Sequence, residues 1–375
     1  MSLFRCIFSL GVVTLAGSSL APAAYIQTNL VSDVSGLAVN TDPNLKNPWG
    51  MSASPTSPFW VSNQVTGDTT LYNGAGTPQA LVVSLPGSGA TPPQGPTGQV
   101  FNSTASSFQL PAGGKSLFLF STLGGTIDAW NGSSGTTAAV EFTATDHASY
   151  TGLALATAGT SDFLYAADFG NGKVDVFNST FGKTTAPGNF VDPTLPSGYS
   201  PYNIQEINGK LYIEYALVNP TTHRASTNAN TGVVSVFDNN GNFLQRLITN
   251  TNLDAPWGVA LAPAGFGPFG GDLLVGNFGD GRINAFNPTT GAFVGTITGA
   301  NGAPLVNSGL WGIAFHAAAT GFDANTLYFA AGINNEADGL LGTIQFTPEP
   351  STFGLALLSL AGGVLGWRRK HHGKA

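Results

Sequence analysis

Residues 165–177 read Tyr165-Ala166-Ala167-Asp168-Phe169-Gly170-Asn171-Gly172-Lys173-Val174-Asp175-Val176-Phe177. A short apolar run ends at a carboxylate, a turn rich in Gly and Asn follows, and a second run closes on an aromatic. Leu274–Phe286 repeats the pattern around Asn277-Phe278-Gly279-Asp280-Gly281. Working outward, the closing aromatic and its turn residue recur as Tyr72-Asn73, Trp130-Asn131, Phe177-Asn178, Phe237-Asp238, Phe286-Asn287 and Phe346-Thr347, about 55 residues apart. Five residues before the first five aromatics stands a glycine: Gly67, Gly125, Gly172, Gly232 and Gly281. In the sixth copy, Gly342 stands four before.

Each glycine follows a short apolar run: Phe59–Val61, Leu117–Phe120, Phe163–Ala166, Leu211–Ile213, Leu273–Val275 and Leu327–Ala330. A second column lies earlier still: Gly50, Gly98, Gly152, Asn203, Gly258 and Gly312. Asn is the residue that next best tolerates positive φ, so this column reads as a left-handed backbone requirement. After the first five aromatics another apolar run follows: Ala80–Val83, Ala139–Phe142, Gly188–Val191, Phe243–Ile248 and Ala292–Ile297. Each unit thus holds four strand-length segments in meander spacing, with no amphipathic helix between them. Six such units predict an all-β, six-bladed β-propeller. The sixth unit lacks an outer strand, whereas residues 25–31 supply a spare one. The N-terminal strand is expected to pair beside Gly342–Thr347 and close the ring, removing a free edge.

The stretch 165–177 resembles an NHL repeat. The whole body is similar to a six-bladed propeller family that travels with PEP-CTERM tails, a resemblance that brings no activity with it. The tail is Pro348-Glu349-Pro350, then the uncharged run 351–367, then Arg368-Arg369-Lys370 in a basic end, 368–375. This order resembles the PEP-CTERM sorting signal of Gram-negative bacteria. As a helix, 351–367 spans ~25 Å, close to a hydrocarbon core of ~30 Å, and the basic cluster should stay cytoplasmic. The resemblance implies an exosortase as partner and a precursor held transiently in the inner membrane. Transfer to the outer surface or release from the cell would follow.

Residues 1–23 read as a secretory signal peptide, with Arg5, an apolar run and Ala21-Pro22-Ala23 at the cleavage site. The expected domains are therefore 1–23, the propeller 24–347, and the sorting signal 348–375. The single cysteine, Cys6, falls in the first of these. The mature body would have no disulfide, thiolate metal site or cysteine nucleophile.

Composition excludes further classes. Of 375 residues, 50 are Gly and 9% are charged, while 25 Phe, 9 Tyr and 6 Trp supply core. Disorder is ruled out by that aromatic content. The body carries 8 Lys and Arg against 19 Asp and Glu, so nothing in it could neutralise a phosphate backbone, and nucleic acid is excluded as a partner.

In a propeller, the lead-in to the innermost strand and the turn between strands two and three share one face. That turn column reads Asn63, Ser121, Asp168, Tyr215, Asn277 and Ala331. Two turns are long, Tyr215–Thr231 and Ala331–Leu341, and long insertions on one face of a repeat are where binding concentrates. The lead-ins carry Trp49, Tyr202, Trp257 and Trp311 in four contiguous blades, and Thr in the other two. With His223 and Arg224 of the first long turn, they form a candidate ligand face suited to sugar rings. Asn63, Asp168, Glu214 and Asn277 are candidate oxygen ligands for Ca²⁺, an arrangement resembling lactonase-type propellers. Asn and Asp in turns also bond turn backbone. No serine-nucleophile elbow, zinc-protease helix or phosphate loop is present. The first functional reading is a non-enzymatic, exported binding or structural propeller of the envelope or extracellular matrix. Its partners would be polysaccharide or a surface protein, with no cofactor. The alternative is a secreted hydrolase of lactonase or glycosidase type with a channel metal.

Overall fold

Six sheets stand in a ring in the computed structural model, which describes residues 24–88, 94–111 and 113–348. Blade one runs Pro48–Ser52, Phe59–Asn63, Asp68–Tyr72 and Pro78–Ser84, innermost strand first, each antiparallel to the next. Blades two to five repeat this order over 96–143, 150–184, 199–249 and 256–296. Blade six is composite. Leu310–Phe315, Leu327–Ala331 and Leu340–Thr347 come from the end of the body, and Ala24–Ser32 from its beginning. The N-terminal strand therefore closes the ring. Asn40–Thr41 adds a short fifth strand parallel to it.

The repeating aromatics explain how blades adhere. Tyr72, Trp130, Phe177, Phe237 and Phe286 each lie in the apolar cluster shared with the preceding blade, and Phe346 packs on the cluster between blades five and six. One apolar residue per repeat thus becomes one packed seam per repeat. The closing strand enters two seams. Tyr25 packs between blades five and six with Phe266 and Phe329, while Leu30 and Val31 pack between blades six and one with Phe59 and Tyr72.

The two glycine columns meet different demands. Gly67, Gly125, Gly172 and Gly281 have φ of 70–76°, which the tight turn between strands two and three requires. The inner column overturns the expectation of positive φ, since none of its members adopts it. The constraint is close approach. A Cβ on Gly50 would lie 2.4 Å from the Thr97 carbonyl oxygen, on Gly258 2.5 Å from that of Trp311, and on Gly312 2.6 Å from that of Trp49. Inner strands converge on the axis, so each backbone abuts the next. Asn203 breaks the series and reaches across with its side chain instead, donating from Nδ2 to the Trp257 carbonyl at 2.7 Å.

One strand differs from expectation. The outer strand of blade three is Lys183–Thr184, not Gly188–Val191. Gly188 and Phe190 instead donate their backbone N–H groups to Asn240 and Gly241 of blade four. Phe190 buries its ring against Tyr165 and Phe237, so packing in the seam outweighs pairing within the blade. The expected signal peptide and the helix at 351–367 lie outside the described residues. Among the described residues no helix is long and apolar enough to cross a membrane.

Candidate functional site

The face carrying the lead-ins and the two long turns holds a cavity of about 530 Å³. Its floor is aromatic. Trp49, Tyr202, Trp257 and Trp311 are all buried, and they meet on the ring axis. Trp49 stacks on Trp311 at 3.5 Å between ring centroids, and Trp257 meets both edge-on at about 6 Å. Phe278 stacks on the far side of Trp311 at 4.2 Å. The Trp257 indole N–H spans from blade five to the Thr151 carbonyl of blade three at 3.0 Å. These rings plug the end of the channel. Trp49 and Tyr202 line the cavity together with Phe169; Trp257 and Trp311 do not.

The rim is polar. Arg224 of the blade-four turn places Nη2 2.9 Å from both carboxylate oxygens of Glu336 in the blade-six turn. The two long turns thereby join over the mouth. Glu336 Oε2 also accepts from Asn47 Nδ2 at 3.2 Å, and that amide donates to Gln64 Oε1 at 3.0 Å. Asn47 Oδ1 accepts from Trp311 Nε1 at 2.9 Å, so the network descends from the rim into the plug. Tyr202 sits beneath this pair. Burial raises its hydroxyl pKa far above the ordinary tyrosine value; the charge of Glu336 adds to the shift and that of Arg224 opposes it.

Left-handed backbone supports this mouth. Asn47, His223 and Glu336 all have positive φ, at 45°, 55° and 66°. Asn334 and Asn335 precede Glu336 in the same left-handed conformation, at 53° and 56°. Left-handed backbone is unfavourable for residues with a Cβ, less so for Asn than for Glu, and it persists where the surroundings enforce it.

The four oxygen-ligand candidates are distributed elsewhere. Asn63 donates to Asp68 and Thr70 within blade one. Asp168 accepts from the backbone of Ser149 and Asn171, and from the Asn171 amide. Asn277 donates to the Asn252 carbonyl. Glu214 lies on the face of blade four that looks to blade five. It is fully buried with neither oxygen hydrogen-bonded, and burial pushes its carboxyl well above the usual range. None of the four lines the cavity. Among the described residues, one acidic group has oxygens within 4.8 Å of one another: Asp146, Asp168 and Asp175. Lys173 and Lys183 already occupy it, at 2.8 Å from Asp146 and 2.7 Å from Asp175. Those two lysines, Lys173 foremost, hold Asp146 down at about 2.

Sequence reasoning located this face, both long turns, Trp49, Tyr202, His223 and Arg224. It missed Glu336, Asn47 and Phe169. Glu336 stood inside a turn already marked by its length, and Asn47 two residues before a marked tryptophan. Their pairing across blades has no signature in the chain. Pro348 is described, whereas Glu349, Pro350, Arg368, Arg369 and Lys370 lie outside the described residues.

Residues 346–370 match the PEP-CTERM protein-sorting motif, which implies export, processing by an exosortase and a destination in the cell envelope. An uncharacterized protein of Acanthamoeba polyphaga mimivirus is 34% identical over 330 residues, covering 84% of this chain and 78% of its own length. A second from the same virus is 33% identical over 342 residues, covering 88% and 87%. Among solved structures, a streptogramin B lyase aligns with a TM-score of 0.51 at 10% identity, over 86% of this chain and 98% of that one. The PQQ-bound aldose sugar dehydrogenase of Streptomyces coelicolor aligns with a TM-score of 0.50 at 12% identity, over 87% and 100%. At such identities the likeness is one of fold.

Proposed function

The chain belongs to the same family as the two mimivirus proteins, and on that premise we propose that it is an exported binding propeller that takes a carbohydrate in the axial cavity. The single observation that carries this reading is the cavity's construction. Two long turns from non-adjacent blades are tied together over an aromatic floor by Arg224 and Glu336. The volume lies within the roughly 300–1,000 Å³ of small-molecule sites. Its lining alternates rings (Trp49, Phe169, Tyr202) with amides and hydroxyls (Gln64, Gln94, Thr151). Sugars present the matching surfaces, apolar CH groups and hydroxyls.

Binding suits this lining better than hydrolysis. Glycoside hydrolysis uses two carboxyl groups, roughly 5–9.5 Å apart, flanking the bond to be cut. Among the described lining residues Glu336 is the one carboxylate, and Arg224 already engages it. The sorting motif adds a place where glycans are abundant: the processed protein would sit at the outer surface or in the matrix of a Gram-negative cell. The test is a glycan panel on the processed protein beside Thr222→Trp, which fills the mouth from an exposed position. Binding by the parent that the variant loses, at an unchanged melting temperature, is the expected result. Equal binding by both would place the ligand elsewhere.

A further inference from the structure

We propose that the sugar held here is acidic, a hexuronate, with Arg224 as the residue that takes its carboxylate; this rests on the carbohydrate reading above. Arg224 is the cation of the described lining whose charge is independent of pH. Its Nη2 serves Glu336, while Nε and Nη1 make no hydrogen bond among the described residues. The side chain is 67% exposed, so solvent alone satisfies those donors, and a ligand can replace that solvent.

Glu336 shows what Arg224 is built to hold. Three successive left-handed residues, none of them glycine, carry this carboxylate over the mouth, and the Asn47 amide fixes its second oxygen. The cavity therefore already contains one carboxylate on that guanidinium, supplied by the chain itself. Below it lie the rings of Trp49, Phe169 and Tyr202, with the polar side chains of Gln64, Gln94 and Thr151 beside them. The ligand thus needs a carboxylate at the rim and, further in, a ring with apolar faces and hydroxyls. The acidic body repels anions at long range, but that field decays over about 8 Å at physiological salt, whereas contact with Arg224 is direct.

The test is calorimetric titration of the processed protein with oligogalacturonate and with its methyl ester, which keeps the shape and removes the charge. The acid should bind roughly ten- to a hundredfold tighter than the ester, the contribution of a charge-assisted hydrogen bond. Arg224→Ala should bring the acid down to the level of the ester. Glu336→Gln, which removes the competing charge and keeps an amide oxygen for Asn47 to donate to, should widen the ratio of acid to ester binding. Equal binding of acid and ester overturns the acidic specificity and leaves the carbohydrate reading standing. A preference for the acid that survives in Arg224→Ala overturns the role of that residue. Failure of either sugar to bind, joined by a panel without binders, overturns both.

Discussion

Tyr25 anchors the closing strand in the seam between blades five and six, and Tyr25→Ala measures what that anchor contributes. The ring is buried between Phe266, Phe269 and Phe346, at centroid distances of 4.9, 5.8 and 5.4 Å. Its hydroxyl donates to the Phe266 carbonyl at 2.7 Å. That burial, with the charge of Asp272 adding to it, lifts the hydroxyl to about 12, so it is a donor at any working pH. Truncating a buried aromatic costs about 3–5 kcal/mol, and the lost hydrogen bond adds about 1 kcal/mol. In a domain of this size each kcal/mol lowers the melting temperature by about 2 °C, so the expected drop is roughly 8–12 °C. Tyr25→Phe should lose only the hydrogen bond, about 1 kcal/mol. Ile26→Ala is the control: the neighbouring side chain is half exposed, and such changes stay within about 0.5 kcal/mol. Calorimetric melting of the three variants beside the parent decides the matter. A shift in Tyr25→Ala no larger than in Ile26→Ala would show that the N-terminal strand does not hold the ring closed.

Glu214→Gln should stabilise the protein increasingly as pH rises. A carboxyl whose folded pKa is raised contributes stability that is complete below its unfolded value, near 4.5, and lost as pH rises toward the folded one. The parent should therefore fall behind Glu214→Gln by about 1.4 kcal/mol per pH unit in that window; parallel denaturation curves from pH 4 to 7 would refute it. Gly258→Ala should cost about 1–3 kcal/mol by overpacking the inner strands against the Trp311 carbonyl, and an unshifted urea midpoint would contradict the close-approach account. Asp192→Asn should cost about 1.5–3 kcal/mol, because the hydrogen bonds from partly exposed Arg246 to this buried side chain, 2.7 and 2.8 Å long, lose their charged acceptor; a loss near that of a surface pair would count against it. Glu349→Ala should leave unprocessed precursor in a host carrying an exosortase, read as a retained larger band, and normal processing would sink that role.

Repetition made the fold legible. Six aromatics recurring about every 55 residues, the first five preceded by a glycine at one offset, specify six copies of one hairpin meander. The missing outer strand of the sixth copy then specifies where the N-terminus must go. These are local demands, met by residues a few positions apart, and a linear reading captures them. The inner glycines show the limit. Their spacing marked a backbone constraint, but its nature, a neighbouring blade within reach of a Cβ, depends on residues a whole blade away in the chain, and for Gly312 on Trp49 at the chain's other end. Gly188–Val191 shows the same limit, since its partners belong to the next blade.

For the site, the turn lengths marked the face and the terminal tail gave the address. Only the tertiary structure decided what the face is made of. Closing the ring turns Trp49, Trp257 and Trp311 inward to one another, because contact on the axis removes all three rings from water at once. It also sets Arg224 against Glu336, 112 positions apart in the chain. A propeller gathers residues from every blade at its axis, so the chemistry of the mouth is a sum over distant segments that no local pattern encodes.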